Sequence, residues 1–221
     1  MTYSVHIAEG LSTHSCSHES DAYDSVSFVY DRLGRRKYLT PVERQAFLRA
    51  AKVQSSAAVA TFCSLLAHTG ARLSEACALT PQRIDFDMQV IVVRSLKKRS
   101  RTLYRAVPVP TPLLAELDAV HEIRGAQIDP VLAAARIWTW CRTTAWHHVK
   151  QTMEFAGIEG PQAMPKGLRH GFAVAALQTG VPINMVQRWL GHARLTTTAI
   201  YADAVGEEER RFAEMLWNAG A

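Results

Sequence analysis

The stretch KGLRHGFAVAALQTGVPINMVQRWLGHARLTTTAIYADA, at residues 166–204, decides the fold because clear helical periodicity coincides there with a dense set of polar side chains. Apolar residues recur at helical spacing on both sides of Gly180, and this pattern predicts two helices. Pro182 precedes the second helix and Gly191 follows it, in agreement with the preference for proline at helix starts and glycine past helix ends.

The polar side chains of this stretch are placed where they can converge on one cleft. Arg169 and His170 lie in the first turn of the first predicted helix, three and four positions after Lys166. His192 follows the glycine that ends the second helix, a position from which its side chain can point into a cleft. Tyr201 lies in a third, short helical run. The stretch therefore concentrates basic residues, histidines and a tyrosine in one segment.

Length and composition indicate a globular protein, and its positive charge favours an anionic partner. The chain has 221 residues, 48% of them hydrophobic, which is enough for a full core in one domain, with or without an extension. Its net charge is +5 and its isoelectric point is about 9.2. This positive balance favours a partner such as nucleic acid, although the clustering of charge matters more than its sum.

The cysteines and the absence of long apolar runs are the features of the sequence that predict the cellular location. Four cysteines lie far apart with no Cys-x-x-Cys pair, and two of them fall within apolar helical patterns. Such reduced core thiols predict a cytoplasmic protein. We expect no membrane segment, because no run of about 18 apolar residues occurs and the N-terminus lacks a secretion signal. The polar His14 to His18 stretch does not supply a closed zinc site.

The whole chain divides into a loosely ordered arm, residues 1–37, and a folded domain, residues 38–221, which contains this stretch. The arm is rich in Ser, His, Asp and Glu and shows no sustained period. The domain opens with a capping box at Thr40, which predicts a helix to about Lys52. A second predicted helix, over 56–68, is apolar nearly all round and must be buried.

Residues 83–109 change from helical period to strand alternation. Segments 90–93 and 103–107 predict two strands, with 84–86 as a third in a small antiparallel sheet. The turn between the two main strands carries the basic residues Lys97, Lys98, Arg99 and Arg101. Helices are expected again from Thr111, from Thr143 or Thr144 to 155 after a looser segment, and over 207–217. The predicted fold class is mainly α with a small antiparallel β-sheet.

Four sequence blocks, in a characteristic order and spacing, give the chain a family resemblance. They are Thr-Gly-Ala-Arg-Leu-Ser-Glu at 69–75, Gly-Leu-Arg-His-Gly-Phe at 167–172, Leu-Gly-His at 190–192 and Thr-Thr-Thr-Ala-Ile-Tyr-Ala at 196–202. With these blocks the chain resembles the tyrosine recombinases of the phage integrase family from about Thr40 to its end. The resemblance implies that 38–221 is a tyrosine recombinase catalytic domain with a C-terminal exchange helix at about 206–218.

The resemblance also implies a role for each polar residue of the blocks. It identifies as catalytic Arg72, Lys97, Lys166, Arg169, His192 and Tyr201. Glu75 and His170 would orient these groups, and the DNA contacts would be Lys98, Arg99 and Arg101. Because the length of the hairpin blurs the register, Lys98 stays an alternative to Lys97 as the catalytic lysine. No cofactor or metal is expected, since the sequence has no Walker loop, dinucleotide-binding turn or magnesium-binding carboxylate cluster.

These residue types suit the breakage of a DNA phosphodiester. Two arginines can hold the scissile phosphate with bidentate hydrogen bonds in place of a metal ion. The tyrosine hydroxyl can attack phosphorus and form a covalent 3′-phosphotyrosine, which a free 5′ hydroxyl later reverses without ATP. A histidine can hydrogen-bond the phosphate, and a lysine can protonate the leaving oxygen. Together with these residues, the family resemblance implies a site-specific recombinase of double-stranded DNA that forms a homo-oligomer, a tetramer, through its C-terminal helix.

Two departures from the family pattern bear on this prediction. Many members carry histidine three residues before the second arginine, where this chain has Lys166. Lysine is a poor base at neutral pH, so the proton acceptor for Tyr201 stays open, with His170 as a substitute. Fewer than forty residues precede the catalytic part, as in the short fimbrial phase-variation invertases. We therefore expect modest, salt-dependent affinity for DNA.

Two other functions are compatible with parts of this pattern. A type IB topoisomerase would use similar residues to relax supercoils as a monomer, but the spacing of the last two blocks and the terminal helix favour recombination. A non-catalytic helix-turn-helix regulator would use the two helices around Gly180 to bind DNA. That alternative leaves Arg72, His192 and Tyr201 without a role.

Overall fold

The computed structural model describes residues 29–53, 56–96, 103–202, 213–215 and 217–218 and is mainly helical with one three-stranded sheet. Its helices are α1 (Pro41–Lys52), α2 (Ala57–Thr69), α3 (Leu73–Cys77), α4 (Thr111–His121), α5 (Ile123–Ile128), α6 (Pro130–Ala134), α7 (Arg142–Phe155), α8 (Pro165–Gln178), α9 (Ile183–Leu190) and α10 (Thr196–Ala199). Its strands are β1 (Ile84–Asp85), β2 (Val90–Ser95) and β3 (Leu103–Pro108). The predicted fold class is confirmed.

Capping residues fix where the first two helices begin and end. The hydroxyl of Thr40 accepts a hydrogen bond from the Glu43 backbone N–H at 3.2 Å, and the Glu43 carboxylate accepts one from the Thr40 N–H at 2.8 Å. This is the predicted capping box, with Pro41 as the first residue of α1. Gly70 ends α2 with a φ of 59°, a conformation that costs glycine little. The chain therefore turns sharply just before Arg72.

The antiparallel sheet has the order β1-β2-β3, and β2 packs against α3. β2 and β3 pair along their whole length, from Val90 opposite Pro108 to Ser95 opposite Leu103. Side chains alternate along β3 between the buried and the exposed face of the sheet. The turn that joins these strands lies outside the described residues, and with it the predicted basic residues Lys97, Lys98, Arg99 and Arg101.

The main core surrounds α2, as its apolar sequence predicted. Phe62 of α2 is fully buried, and its ring meets Trp138 edge to face with the ring centroids 5.1 Å apart. The indole N–H of Trp138 donates to the carbonyl of Ala58 at 3.0 Å, so the buried polar atom of this large side chain is satisfied. Phe47 of α1 and Met153 of α7 close the cluster from other sides. This core fixes α2, whose C-terminal end faces the candidate site.

A second apolar cluster joins the segment before α1 to the helices that carry the site. Val29 is fully buried in it, together with Tyr38 and Tyr201. Gly171 allows this close packing, since a Cβ there would lie 2.7 Å from the backbone oxygen of the residue that follows Tyr38. Val29, which we assigned to the arm, is thus packed on the fold, whereas residues 32–35 are exposed and residues 1–28 lie outside the described residues.

The segment between α4 and α7 is more helical than its sequence pattern predicted. It contains α5 and α6, and α6 begins where the Asp129 carboxylate accepts hydrogen bonds from the backbone N–H groups of Val131 and Leu132, at 2.7 and 3.2 Å. Of the predicted C-terminal helix, residues 213–215 and 217–218 are helical and the others lie outside the described residues. None of the helices in the described part of the chain is long and apolar enough to cross a bilayer.

Candidate active site

Arg169 lies at the centre of the site, held between the C-terminal ends of two helices. Its Nη1 donates to the carbonyl of Gly70, just past α2, and its Nη2 donates to the carbonyl of Leu190, the last residue of α9, both at 2.7 Å. Carbonyl groups at a helix C-terminus lack intrahelical donors and carry partial negative charge. The two helix ends therefore form a binding place for a buried cation.

Arg169 keeps its charge at neutral pH in spite of its burial. Burial, helped by the positive charge of Arg72, lowers the pKa of Arg169 to about 10. That value still lies well above neutrality, so the guanidinium stays protonated. Its position in the first turns of α8 is that predicted from Lys166 and the following residues, and Pro165 is the first residue of the helix.

His192 is held in one tautomer by its two neighbours. Its Nε2 lies 3.0 Å from Arg169 Nη2, and its Nδ1 lies 2.9 Å from the hydroxyl of Thr198. An arginine nitrogen can only donate, so Nε2 must accept and carries no proton. The proton is then on Nδ1 and is donated to Thr198, which is fully buried. This assignment places a neutral imidazole beside the central arginine.

Arg72 is paired with Glu75, the residue that the family resemblance expected to orient the catalytic groups. Arg72 Nη1 donates to Glu75 Oε1 at 2.9 Å, and the Arg72 backbone N–H donates to Glu75 Oε2 at 2.9 Å. The Arg72 side chain remains 29% exposed on the cleft, whereas that of Glu75 is 1% exposed. Burial by itself raises the pKa of Glu75, but Arg105 and Arg72 outweigh that effect and the pKa lies below its ordinary value. Glu75 is therefore a buried carboxylate that orients a half-exposed arginine.

Arg105, on β3, is a member of this site that the sequence analysis did not identify. Its Nη2 donates to Glu75 Oε2 and its Nε donates to the carbonyl of Trp189, both at 2.6 Å. A signal was present in the sequence, because strand alternation places Arg105 on the same face as the buried Val107. The basic turn just before the strand drew attention to other cations instead.

Tyr201 follows the short helix α10 and faces α8. The prediction that it lies inside the helical run was wrong, because α10 ends at Ala199 and Tyr201 occupies the next turn. Its hydroxyl lies 2.7 Å from Nδ1 of His170, and its ring lies nearly parallel to that of His192, with the centroids 6.2 Å apart. The candidate nucleophile thus lies beside both histidines of the predicted site, and its side chain is almost fully buried.

Burial drives the pKa values of Tyr201 and His170 in opposite directions. It raises the pKa of Tyr201 to about 12, although Arg169 and Arg72 act in the other direction. The pKa of His170 falls to about 3 because of burial and, in decreasing order, the positive charges of Lys166, Arg169 and Lys37. Both groups are therefore neutral near pH 7, and the proton stays on the tyrosine.

These side chains line one open cleft of about 1050 Å³. Its basic residues are Arg72, Arg105, Arg142, Lys166, Arg169, Arg188 and Arg194. Lys166 is exposed there in the first turn of α8, and the aromatic side chains of Trp146 and Tyr104, 38% and 47% exposed, also line the cleft. Within the described part of the chain, none of the lining side chains is acidic. Such a surface is suited to a polyanion.

The structure brings together most of the predicted site, namely Arg72, Glu75, Lys166, Arg169, His170, His192 and Tyr201. Lys97, Lys98, Arg99 and Arg101 lie outside the described residues. Among the residues that the structure describes, no group of three or more His, Cys, Asp or Glu side chains could hold a metal ion.

Comparison with known proteins identifies the family. The model of the phage integrase family matches residues 37–208, and the chain belongs to this family. It is 34% identical over 153 residues to the tyrosine recombinase XerA of Thermococcus onnurineus, which covers 68% of this chain and 52% of that protein. It is 36% identical over 143 residues to the tyrosine recombinase XerD of Shewanella oneidensis, with 62% and 46% covered. The resemblance inferred from the four blocks is confirmed.

Solved structures share the fold. The crystal structure of XerA recombinase superimposes with a TM-score of 0.64 at 26% identity, covering 81% of this chain and 64% of that one. The XerH site-specific recombinase bound to its palindromic difH substrate gives a TM-score of 0.69 at 22% identity, covering 82% and 53%. The chain spans about half the length of the curated relatives that it matches.

Proposed function

We propose that this chain is a site-specific DNA recombinase that cleaves and rejoins strands through a covalent 3′-phosphotyrosine on Tyr201. One observation carries the proposal: the Tyr201 hydroxyl lies beside a histidine in a cleft that is lined by arginines and, among the described residues, by no acidic side chain. Membership of the phage integrase family and the recombinase relatives support it. The cleft would take double-stranded DNA by its phosphates.

Arg72 and Arg169 would hold the scissile phosphate. Arg169 gives three hydrogen bonds to the protein, and a guanidinium carries five N–H donors, so donors are left for phosphate oxygens. Because helix ends and Glu75 already fix both arginines, little reorganisation is needed when charge develops on the phosphate. His192 accepts from Arg169 at Nε2 in the free chain and would donate to a phosphate oxygen only after that contact is exchanged and the proton lies on Nε2, with the Thr198 hydroxyl then donating to Nδ1.

The proton balance of cleavage assigns a role to each remaining group. Tyr201 attacks phosphorus, its proton passes to Nδ1 of His170, and the bond from phosphorus to the 5′ oxygen breaks. The 5′ oxygen takes a proton from Lys97, and reversal of these steps rejoins the strand. The entering phosphate adds negative charge among Lys166, Arg169 and His192, which raises the pKa of His170 and allows it to accept the proton.

The remaining parts of the proposal concern boundaries, assembly and location. The catalytic domain would span 38–221, and the terminal helix, about 206–218, would join protomers into a tetramer on DNA. The exposed side chains of Met215 and Trp217 support that contact, since apolar groups of this size are suited to burial against a partner. Lys98, Arg99 and Arg101 would contact DNA phosphates. A cytoplasmic location is supported by the free thiols of Cys63, Cys77 and Cys141.

The test is incubation with suicide DNA substrates taken from the sequence that flanks the gene, followed by denaturing electrophoresis. We expect a covalent protein–DNA complex with the natural chain and none with Tyr201→Phe, which should still bind DNA because only the nucleophilic oxygen is removed. A retained adduct in Tyr201→Phe would contradict the assignment. Relaxation of supercoiled plasmids that lack the site would favour the topoisomerase alternative. DNA binding without any adduct would favour the regulator, although Val186 on its second helix is buried.

A further inference from the structure

Arg105 is a buried cation in the cleft for which the proposed reaction has no step. Its side chain is 5% exposed, and its hydrogen-bonding groups point to two separate parts of the site. Nη2 holds Glu75, which in turn holds Arg72. Nε holds the carbonyl of Trp189, in the last turn of the helix that ends before His192. One guanidinium thus connects the two segments that supply Arg72 and His192.

The turn before His192 is built around this guanidinium. Gly191 has a φ of 67°, and a Cβ at this position would lie 3.1 to 3.3 Å from Cδ, Nη1 and Cζ of Arg105. A side chain there would be strained by the backbone conformation and would also press on the arginine. The glycine of the Leu-Gly-His block is therefore needed both to end α9 and to admit Arg105.

Stability alone does not account for this arrangement. Burial of an ion pair costs solvation that its attraction often fails to recover, so a buried pair is weak evidence for stability. In addition, Arg105 Nη1 is buried and has no hydrogen-bond partner among the described residues, which is a further cost. Replacement of both Glu75 and Arg105 by apolar side chains of similar volume is often neutral or stabilising in such cases. The arrangement is better explained by what it holds in place.

We propose that Arg105 is a positioning residue that fixes the two halves of the phosphate-binding site relative to each other. Through Glu75 it fixes the guanidinium of Arg72, and through the Trp189 carbonyl it fixes the turn that carries His192. This inference rests on the proposed recombinase function, because its effect is on the rate at which Tyr201 is joined to DNA. Arg105 itself does not contact the reacting atoms.

The proposal makes a specific claim about pH. Glu75 is buried, and Arg105 is the first of the two cations that keep its pKa below the ordinary value in spite of burial. Without Arg105, burial dominates and the pKa of Glu75 rises. As the pH falls through this raised pKa, Glu75 takes up a proton and no longer orients Arg72. Cleavage by such a variant should therefore weaken on the acid side at a pH where the natural chain is still active.

The experiment measures single-turnover formation of the covalent complex by the full chain, at saturating enzyme, from about pH 6 to about pH 9. Arg105→Met should lower the rate roughly 10- to 100-fold, as small misplacements of catalytic groups do. It should also move the acid limb of the pH–rate profile, where the rate falls with falling pH, to a higher pH. Affinity for DNA should change less than about threefold, since Arg72 and the other cleft cations remain. Arg105→Lys should recover part of the rate, because it keeps the charge but cannot span both acceptors.

Two further variants make the result decisive. Glu75→Gln combined with Arg105→Met removes the titrating carboxylate, so the shifted acid limb should disappear. Arg94→Met is the matched control, an exposed arginine on β2 that faces Tyr104 across the sheet, and should stay within about twofold of the natural rate.

A natural rate and pH profile in folded Arg105→Met would overturn the inference, as would an acid limb that persists in the double variant. If Arg105→Met does not fold, Arg105→Lys decides by its rate alone, and a natural rate in that variant would overturn the inference because lysine cannot span both acceptors. A failure of the recombinase function itself would be distinguishable, because the natural chain would then form no Tyr201-dependent adduct.

Discussion

Two groups of buried titratable side chains lie beside the same cleft under opposite electrostatic conditions. Glu75 is buried between Arg72 and Arg105, and these charges keep its pKa below the ordinary value. His170 and Tyr201 are buried next to each other without an opposite charge, and their pKa values move apart to about 3 and about 12. The first group is ionised at neutral pH, and the second is neutral.

The difference indicates that the two groups have separate roles in the proposed reaction, phosphate binding and proton transfer. In the first group, Arg72 is held by the ionised Glu75 and needs no change of protonation to receive a phosphate. A neutral pair that shares one hydrogen bond must move a proton before the tyrosine becomes a nucleophile. In the free chain the gap between the two pKa values keeps that proton on Tyr201.

The largest expected effect concerns the leaving group, which neither of the two groups protonates. Lys97→Ala should slow cleavage of a normal phosphodiester by about 10² to 10⁴, the usual contribution of general acid catalysis. A 5′-phosphorothiolate, whose sulfur leaves without a proton, should be cleaved at nearly the natural rate. Lys98→Ala is the control and should weaken DNA binding, with a salt slope reduced by about one and equal effects on both substrates.

If the 5′-phosphorothiolate substrate restored the rate of the Lys98 variant and not that of the Lys97 variant, this assignment would be reversed. Rescue of neither would move the acid away from the turn between β2 and β3, and Lys166, exposed in the cleft, would be the next residue to test.

The next prediction concerns Arg169, the second arginine that we propose to hold the phosphate. Arg169→Met should lower the cleavage rate by about 10² to 10³, because a preorganised donor to the phosphate is lost. It should also lower the free energy of unfolding by about 1 to 3 kcal/mol, since the carbonyls of Gly70 and Leu190 lose their donor. Chemical denaturation and single-turnover cleavage measure the two effects. Arg188→Met, an exposed arginine of the same cleft, should weaken binding only, and an equal loss of rate there would contradict a special role for Arg169.

Much of this site was predictable because its positions follow from helix punctuation. The glycines that end α2 and α9 and the proline that starts α8 set where Arg72, His192 and Arg169 lie, and these signals are local in the sequence. The family resemblance gave Glu75 an orienting role, and Glu75 accepts a hydrogen bond from the Arg72 side chain. Helical period and strand alternation were enough for the fold class.

The parts that were missed depend on contacts between distant residues. Arg105 meets Glu75 and Trp189 only after β3 packs against α3 and α9, and no local pattern specifies that contact. The hydrogen bond from His170 to Tyr201 also joins separate elements, so the sequence could name His170 only as a substitute proton acceptor. The helices α5 and α6 were missed because their caps resemble an ordinary polar loop.

The neutral pair is tested by His170→Gln. Glutamine keeps an acceptor that can hold the Tyr201 hydroxyl, but it cannot take up the proton. If His170 is the proton acceptor, cleavage should fall by about 10², whereas a histidine that only holds the tyrosine would be replaced with little loss. Lys166→Ala is the companion variant, because Lys166 occupies the position where many relatives carry histidine. A larger loss in Lys166→Ala than in His170→Gln would move the proton acceptor to Lys166.

The smallest effect concerns stability rather than rate. The pKa of His170 is lowered from 6.5 to about 3 in the folded chain, so below pH 6.5 the unfolded chain binds more protons than the folded one. The free energy of unfolding is therefore unaffected by His170 at a pH above its pKa in the unfolded chain. It decreases as the pH falls from there toward the pKa of His170 in the folded chain. Between about pH 7 and pH 5 this loss amounts to at most about 2 kcal/mol.

His170→Gln should remove this part of the acid sensitivity. Urea denaturation at the two pH values should show a smaller drop in unfolding free energy for the variant than for the natural chain. Three other histidines with lowered pKa values, His68, His121 and His148, contribute equally to both proteins and cancel in the comparison. The lowered pKa of Glu43, about 2, acts at a lower pH and does not enter this window. An equal drop in both proteins would mean that His170 titrates normally in the folded chain, and the contrast between a charged and a neutral half of the cleft would then fail.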